Sequence, residues 1–353
     1  MIRSVITATG SHIPARRVPN DWFLSHDFRG TDRKALEKSN ADILAQFESI
    51  TGIRERRYAA DELVTSDLAF DSAQKALQSS GIDPESLDGI IVGHNFGDVR
   101  LGSSCPDMVP SLAARVKARL AISNPYCVAF DLVFGCPGWL QGVIVADSMI
   151  RAGDAKRIMV IGADTLSRIS DPHDRDSLIY ADGAGAVVLE GQESDSGILA
   201  RAVRSDAIDH AKMLFMGKSY HPEAFLEALF LKMEGRKLYK YALNTVAGAM
   251  KEALDRAGIH ARDVKKVLIH QANGKMDEAI LEAFYDLYDM EPPADVMPMT
   301  ISWLGNSSVA TVPTLLDLIL KGQMENESIA PGDLIVFASV GAGMNINAVV
   351  YRY

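Results

Sequence analysis

Cysteine is scarce in this sequence: Cys105, Cys127 and Cys136 are the only three in 353 residues. Their spacing fits neither a metal-ligand pattern nor a disulfide framework. Free thiols suit a reducing compartment, so the cytoplasm is the expected location. No apolar run reaches the roughly 18 residues that a membrane span needs. The opening stretch, Met1-Ile2-Arg3-Ser4-Val5-Ile6-Thr7-Ala8-Thr9-Gly10, reads as a strand, because its apolar run is too short for a secretory signal. Positive charge is not in excess either. The 36 Lys and Arg face 46 Asp and Glu, a net charge of −10, which argues against a general nucleic-acid binder. Low-complexity segments and long linkers are missing. So are a G-x-S-x-G elbow and an H-E-x-x-H motif. The glycines of Gly183-Ala184-Gly185 and Gly341-Ala342-Gly343 follow no dinucleotide-binding spacing.

What is there is enough chain for two cores, since 353 residues exceed the size at which one core keeps growing. An internal repeat supports two fused halves. A helical stretch Ala73–Ile82, with Gly81 as its stop, leads to the apolar Ile90-Ile91-Val92. A similar stretch Met250–Ile259, with Gly258 as its stop, leads to Val267-Leu268-Ile269. A second pair follows, in which a helix ending at Gly153 precedes Arg157–Gly162 and a helix Val309–Lys321 precedes Leu334–Gly341. Short apolar strands alternating with helices predict an α/β layered fold. In such folds ligands bind at the carboxyl ends of strands.

One stretch stands at such an end. Val128-Ala129-Phe130 reads as a strand, and the apolar run Leu140–Ile150 reads as a helix with Pro137 at its first position and Gly153 as its stop. Cys136 falls on the turn between them. A thiol there faces the unpaired N–H groups and the positive end of the helix dipole, which favours the nucleophilic thiolate. The bland alternative is a buried, inert cysteine.

His270 directly ends the strand Val267–Ile269, and its counterpart in the other half of the repeat is Gly93. The other seven histidines (His12, His26, His94, His173, His210, His221, His260) lie mostly in polar loops and read as solvated. Asn306 precedes a helix within Gly305-Asn306-Ser307-Ser308, where an ordinary cap is the plain reading. The basic run Arg54-Glu55-Arg56-Arg57 reads as a solvated face. A Cys, a His and an Asn on three such loops make a workable thioester site. The thiolate attacks an acyl carbonyl. The His and Asn donors hold a thioester oxygen and stabilise the enolate left when a β-carboxylate departs. Backbone N–H groups hold the oxyanion.

These residues carry a resemblance. Over nearly its whole length the chain resembles the β-ketoacyl-acyl-carrier-protein synthase III branch of the thiolase superfamily. The matching segments are Thr51-Gly52-Ile53-Arg54-Glu55-Arg56, the region around Cys136, Asp171-Pro172-His173-Asp174-Arg175, Asp182-Gly183-Ala184-Gly185-Ala186, His270-Gln271-Ala272-Asn273, Gly305-Asn306-Ser307-Ser308 and the C-terminal glycine turn. The resemblance implies an α/β fold of five αβαβα layers built from two duplicated halves, residues 1–195 carrying the cysteine and 196–353 carrying the His and Asn. It implies a homodimer, with acyl carrier protein as partner and acyl-CoA and carrier-protein thioesters as substrates. No bound cofactor and no metal are implied, nor any nucleic-acid or membrane partner. Cys136 becomes the acyl nucleophile, and His270 and Asn306 the decarboxylation pair. Ala342 falls where the family has a glycine whose N–H completes the oxyanion hole with that of Cys136. The methyl group narrows that turn.

Carrier recognition departs from the pattern. The family's aromatic that stacks on the CoA adenine falls at Gln46, a neighbouring basic position at Ile50, and a pantetheine-contacting asparagine at Arg236. Arg175, Asn273 and Lys275 still match contacting positions. Arg54, Arg56, Arg57, Arg175, Arg236, Lys237 and Lys275 are expected to form a basic rim for an acidic carrier. Degradative thiolases use a second cysteine in the C-terminal turn, which here is Ser339-Val340-Gly341-Ala342-Gly343. Relatives with a glutamate base rank lower, because Gly93–Pro110 holds only Asp98 and Asp107 as carboxylates. The remaining alternatives are a non-decarboxylative or specialised condensing enzyme of the superfamily, of alkylquinolone, resorcinol or olefin type, or a partner subunit of a heterodimeric synthase.

Overall fold

A computed structural model describes residues 1–103, 105–225 and 227–353. The strands are β1 (Ile2–His12), β2 (Arg16–Pro19), β3 (Glu55–Tyr58), β4 (Gly89–His94), β5 (Val128–Val133), β6 (Arg157–Thr165), β7 (Asp182–Glu193), β8 (Gly197–Ser205), β9 (Leu214–Lys218), β10 (Leu229–Met233), β11 (Val264–Ile269), β12 (Leu334–Gly341) and β13 (Asn345–Arg352). The helices are α1 (Asn40–Thr51), α2 (Thr65–Ser80), α3 (Leu112–Arg119), α4 (Gly138–Ala152), α5 (Ala207–His210), α6 (Gly235–Ala257), α7 (Gly274–Asp286), α8 (Ile301–Leu304) and α9 (Thr311–Leu320).

Two mixed sheets carry the architecture, in the orders β1-β7-β6-β4-β5 and β8-β13-β12-β11. In the second sheet, the Val267 N–H donates to the carbonyl of Val296, so the loop segment there holds the place that β5 holds in the first. The alternation of side chains along each strand then sorts the layers. Ile90, Val92, Met159 and Ile161 point to one face of the first sheet and pack under α2 and α3. Ile91, Ile158 and Val160 point to the other face. There they meet α4 and α9 together with Leu268, Ile335 and Phe337 of the second sheet. The far face of the second sheet, through Val267, Ile269, Val336 and Ala338, is covered by α6 and α7. Strands buried on both faces need continuous apolar runs, and those runs are what the sequence shows.

The repeat is visible in the helix ends. Gly81 and Gly258 both terminate their helices in the left-handed conformation, at φ 70° and 68°. Only glycine adopts that conformation without a Cβ penalty. Two antiparallel ribbons sit outside the sheets: β2 pairs with β3, and β9 with β10.

Candidate active site

Cys136 lies between β5 and α4, His270 follows β11, Asn306 lies between α8 and a 3₁₀ turn at Ser308–Ala310, and Ala342 follows β12. The fold brings all four to the wall of one cavity of about 50 Å³. An outer cleft of about 630 Å³ shares Ile179, Met233, Leu238, Ala272 and Met276 with that cavity and so leads down to it. A larger hollow of about 980 Å³, between Ser205–His210 and α6, holds none of the four.

The turn that presents the cysteine is closely packed. A Cβ on Gly135 would lie 2.9 Å from the Ala342 nitrogen, and one on Gly341 would lie 2.7 Å from the Cys136 nitrogen. The two amides therefore meet across glycines that tolerate no side chain. The Ala342 methyl is itself 3.0 Å from the Gly135 Cβ position, so it does crowd the turn. Pro137 is the cap of α4 rather than its first residue, and Gly153 ends the helix at φ 84°.

The expected thiolate is not favoured at rest. Burial pushes the Cys136 thiol up to about 11, and the Asp164 carboxylate adds to the rise. The Ser308 hydroxyl, 3.3 Å from Sγ, and the cysteine's own N–H oppose it. The helix terminus is thus outweighed by desolvation.

His270 is 4 % exposed, and burial lowers its imidazole to about 4, so it is neutral at pH 7. Its backbone N–H donates to the Ala338 carbonyl, which extends the β11–β12 pairing, while its Nδ1 has no partner among the described residues. Asn306 is buried and is not a helix cap. Its main chain bonds Ile179 O and Ala181 N, and its Oδ1 accepts from the Ser308 N–H at 2.9 Å. That leaves the Nδ2 amide as the donor it can offer. Gln271 fixes the approach to this loop, accepting from Thr300 N and Ile301 N and donating to Pro298 O.

The carrier-binding expectations divide. Arg175, Arg236 and Asn273 line the outer cleft, as do Gln46, Ile50 and Lys237. Arg54 and Lys275 are exposed but are not on its wall. Asn273 is also the cap of α7, accepting from Met276 N. The reading of Arg54–Arg57 as one solvated face fails at Arg56, which is wholly buried. Arg56 donates to Leu178 O, Val18 O and Asn20 Oδ1 and lies against the Phe23 and Phe47 rings. Arg57 packs over Trp303. The aromatic missing at position 46 has neighbours in the same cleft, Phe47 and Tyr239.

Two polar groups escaped the sequence reading. His94 is fully buried rather than solvated, and its ring meets Asp131 at 3.1 Å. Asn95 reaches the inner cavity and joins Asp164 to Ser308. The signal for both was the repeat. His94 ends β4 and Asn95 follows it, as Gln271 and Ala272 follow β11, so the strand-end rule that picked out His270 picks out this corner too.

Comparison with known proteins finds relatives over the whole chain. The model of 3-oxoacyl-[acyl-carrier-protein (ACP)] synthase III matches residues 130–207, and the model of its C-terminal part matches residues 254–353. The chain is 34% identical to the beta-ketoacyl-[acyl-carrier-protein] synthase III of Erythrobacter litoralis, over 100% of both chains. The chain belongs to this family. The corresponding protein of Paracoccus denitrificans is also 34% identical over 100% of both chains. Among solved structures, the 3-oxoacyl-[acyl-carrier-protein] synthase III of Aquifex aeolicus superposes with a TM-score of 0.80 at 30% identity, covering 99% of this chain and 100% of that one. The Pseudomonas aeruginosa protein gives 0.81 at 30% identity, covering 99% and 98%. The fold is therefore the thiolase fold of an acyl-transferring condensing-enzyme family, as the resemblance implied.

Proposed function

We propose that this chain loads an acyl thioester onto Cys136 and condenses it, with loss of CO₂, with a malonyl group on acyl carrier protein. The convergence of Cys136, His270 and Asn306 on one small cavity at the foot of an open cleft carries the reading. In loading, Cys136 Sγ attacks the thioester carbon, the bond from that carbon to the donor sulfur breaks, and the Cys136 proton passes to the departing sulfur, which leaves as the thiol. The N–H groups of Cys136 and Ala342 receive the oxyanion. In condensation, the malonyl C–CO₂⁻ bond breaks and CO₂ departs. The enolate carbon attacks the acyl-enzyme carbonyl, and the Cys136 thiolate is expelled. His270 and Asn306 hold the enolate oxygen. A neutral His270 suits this role, since it donates a hydrogen bond without having to act as a base.

A carboxylate base in the 93–110 loop is disfavoured by the geometry. Asp98 is buried and engaged by Ser66 and Arg115, and Asp107 is paired to Arg115. We further propose division into halves near residues 195/196, in the link between β7 and β8, and a cytoplasmic homodimer. The edge strand β5, with Val128 and Val133 half exposed beside Tyr126, is the surface that suits a second copy. The outer cleft is assigned to the carrier, with Arg175, Arg236 and Asn273 on its wall and Arg54 and Lys275 outside it. Intact mass spectrometry after exposure to a panel of acyl thioesters tests the core of the proposal. One acyl adduct is expected on the wild type and none on Cys136→Ala. An adduct that survives in Cys136→Ala overturns it.

A further inference from the structure

Behind the nucleophile runs a partly buried chain of donors that the catalytic scheme above does not use. Asp164, at the end of β6, is 2 % exposed. Its Oδ1 accepts the Asn95 backbone N–H at 2.9 Å, and its Oδ2 accepts Asn95 Nδ2 at 2.6 Å. An amide NH₂ carries two donors. The same Nδ2 also donates to Ser308 Oγ at 2.8 Å, and Ser308 Oγ donates to Cys136 Sγ at 3.3 Å. Ser308 holds a left-handed φ of 54°, uncommon for a residue with a side chain and concentrated at functional positions.

The order of donors has a consequence. The Ser308 hydroxyl has one proton, which it gives to the Cys136 sulfur, and the Asp164 carboxylate, on the other side of the Asn95 amide, is the competing acceptor. Asn95 engages both oxygens of Asp164 and donates to the Ser308 hydroxyl, which holds that oxygen with its lone pair toward the amide. The single proton is thereby left to the sulfur. Without Asn95, the carboxylate is the stronger acceptor and takes that proton, and the sulfur then faces an uncompensated anion. We propose that Asn95 is a positioning residue that turns the Ser308 hydroxyl from Asp164 toward Cys136 and thereby sets the reactivity of the thiol. The inference rests on Cys136 being the nucleophile. The ionisable groups facing this chain are His94, which favours the charged form of Asp164, Asp164 itself, Tyr180 beside Cys136, and His270, whose ring senses the Ser308 carbonyl.

The test is the pH dependence of alkylation by iodoacetamide with no acyl donor present, read at Cys136 by peptide mass mapping. Thermal unfolding of each variant reports whether it folds. Asn95→Leu is expected to raise the alkylation midpoint by about one pH unit, making the reaction about tenfold slower below it, because a hydrogen bond to a charged acceptor is lost. Ser308→Ala should do the same, and the double variant should add little to either single one. Asp164→Asn is expected to shift the midpoint the other way, since it removes the competing anion. A merely structural role for Asn95 leaves the midpoint in place while the protein stays folded, and Asp164→Asn reads the direct effect of the charge on the sulfur. An unmoved midpoint in folded Asn95→Leu or Ser308→Ala, or an upward shift in Asp164→Asn, overturns the proposal. Failure of the wild type to form an acyl adduct is a separate result, which strikes the synthase reading and not this one.

Discussion

The turns in front of α4 and α9 hold equivalent places in the two halves, yet one delivers a thiol and the other an amide. The neighbouring strand ends differ in the same way: β4 reaches Gly93 where β11 is followed by His270. Packing accounts for the difference. A Cβ at Gly93 would lie 2.6 Å from the Gly138 carbonyl carbon and 2.9 Å from Trp139 N. The start of α4 leans onto β4 so closely that this strand end admits only glycine, and that closeness carries Cys136 to the cavity. At β11 there is room for an imidazole, and the ring takes it. One duplicated frame thus offers two complementary chemistries, a thiol from the tight half and hydrogen-bond donors from the open half.

The comparison breaks most completely at the thiol. Cys136→Ala should abolish both acyl loading and condensation, while Cys105→Ala and Cys127→Ala should leave loading intact, as tracked by mass and by radiolabel transfer. Cys105 is exposed and Cys127 buried, and neither lines the cavity. The donors from the other half come next. His270→Ala and Asn306→Ala should each lower condensation by roughly 10²–10³, the usual effect of losing a preorganised donor. Loading should fall less, which single-turnover kinetics of the two half-reactions would resolve. Equal loss of both steps in Asn306→Ala would make that residue structural.

Two further changes probe the packing itself. In His270 the folded imidazole is held near 4 by burial, below its ordinary 6.5. The unfolded chain therefore takes up a proton that the folded one refuses. The stability tied to this histidine is complete above about pH 6.5 and is lost as pH falls toward 4, up to about 3 kcal/mol. Asp164 is raised to about 6 and runs with the opposite sign, losing stability as pH rises from about 4 to 6. Denaturant titrations of wild type and His270→Asn at several pH values separate the two, because only the histidine slope vanishes in the variant. Gly93→Ala should cost roughly 1–3 kcal/mol through overpacking against α4. Thermal unfolding at pH 7 checks it, and an unchanged midpoint would show that the tight half is not tight.

The frame was legible because its signals are local. Apolar runs marked the strands, Gly81, Gly153 and Gly258 marked the helix ends, and strand-end placement singled out Cys136 and His270. Where several elements converge, the sequence was silent. Arg56 looks like its neighbours Arg54 and Arg57, and only the packing of Phe23 and Phe47 against it makes it a buried tie. His94 sits in a stretch that reads as polar, and its burial follows from where Asp131 of β5 comes to rest. The thiol's resting state depends on desolvation by the whole cavity wall, which no helix start reveals.

The smallest expected effect lies at the cleft. The rim is less basic than the sequence suggested, because Arg175 lies 3.8 Å from Asp176 and Lys237 lies 2.7 Å from Glu234. Arg236 stands at the start of α6 on the cleft wall. Exposed charge contacts are worth about 0.2–1 kcal/mol each and weaken with salt. Arg236→Glu should therefore lower kcat/KM for a carrier-protein donor about two- to fivefold at low ionic strength, and the loss should fade in high salt. The Phe47 and Tyr239 rings offer apolar surface in the same cleft, so a coenzyme A thioester does not depend on this guanidinium in the same way. Its kcat/KM should change by less, and with little response to salt. Equal losses for both donors at every salt concentration would place Arg236 against the part that the two donors share, and the acidic surface of the carrier would have to dock elsewhere.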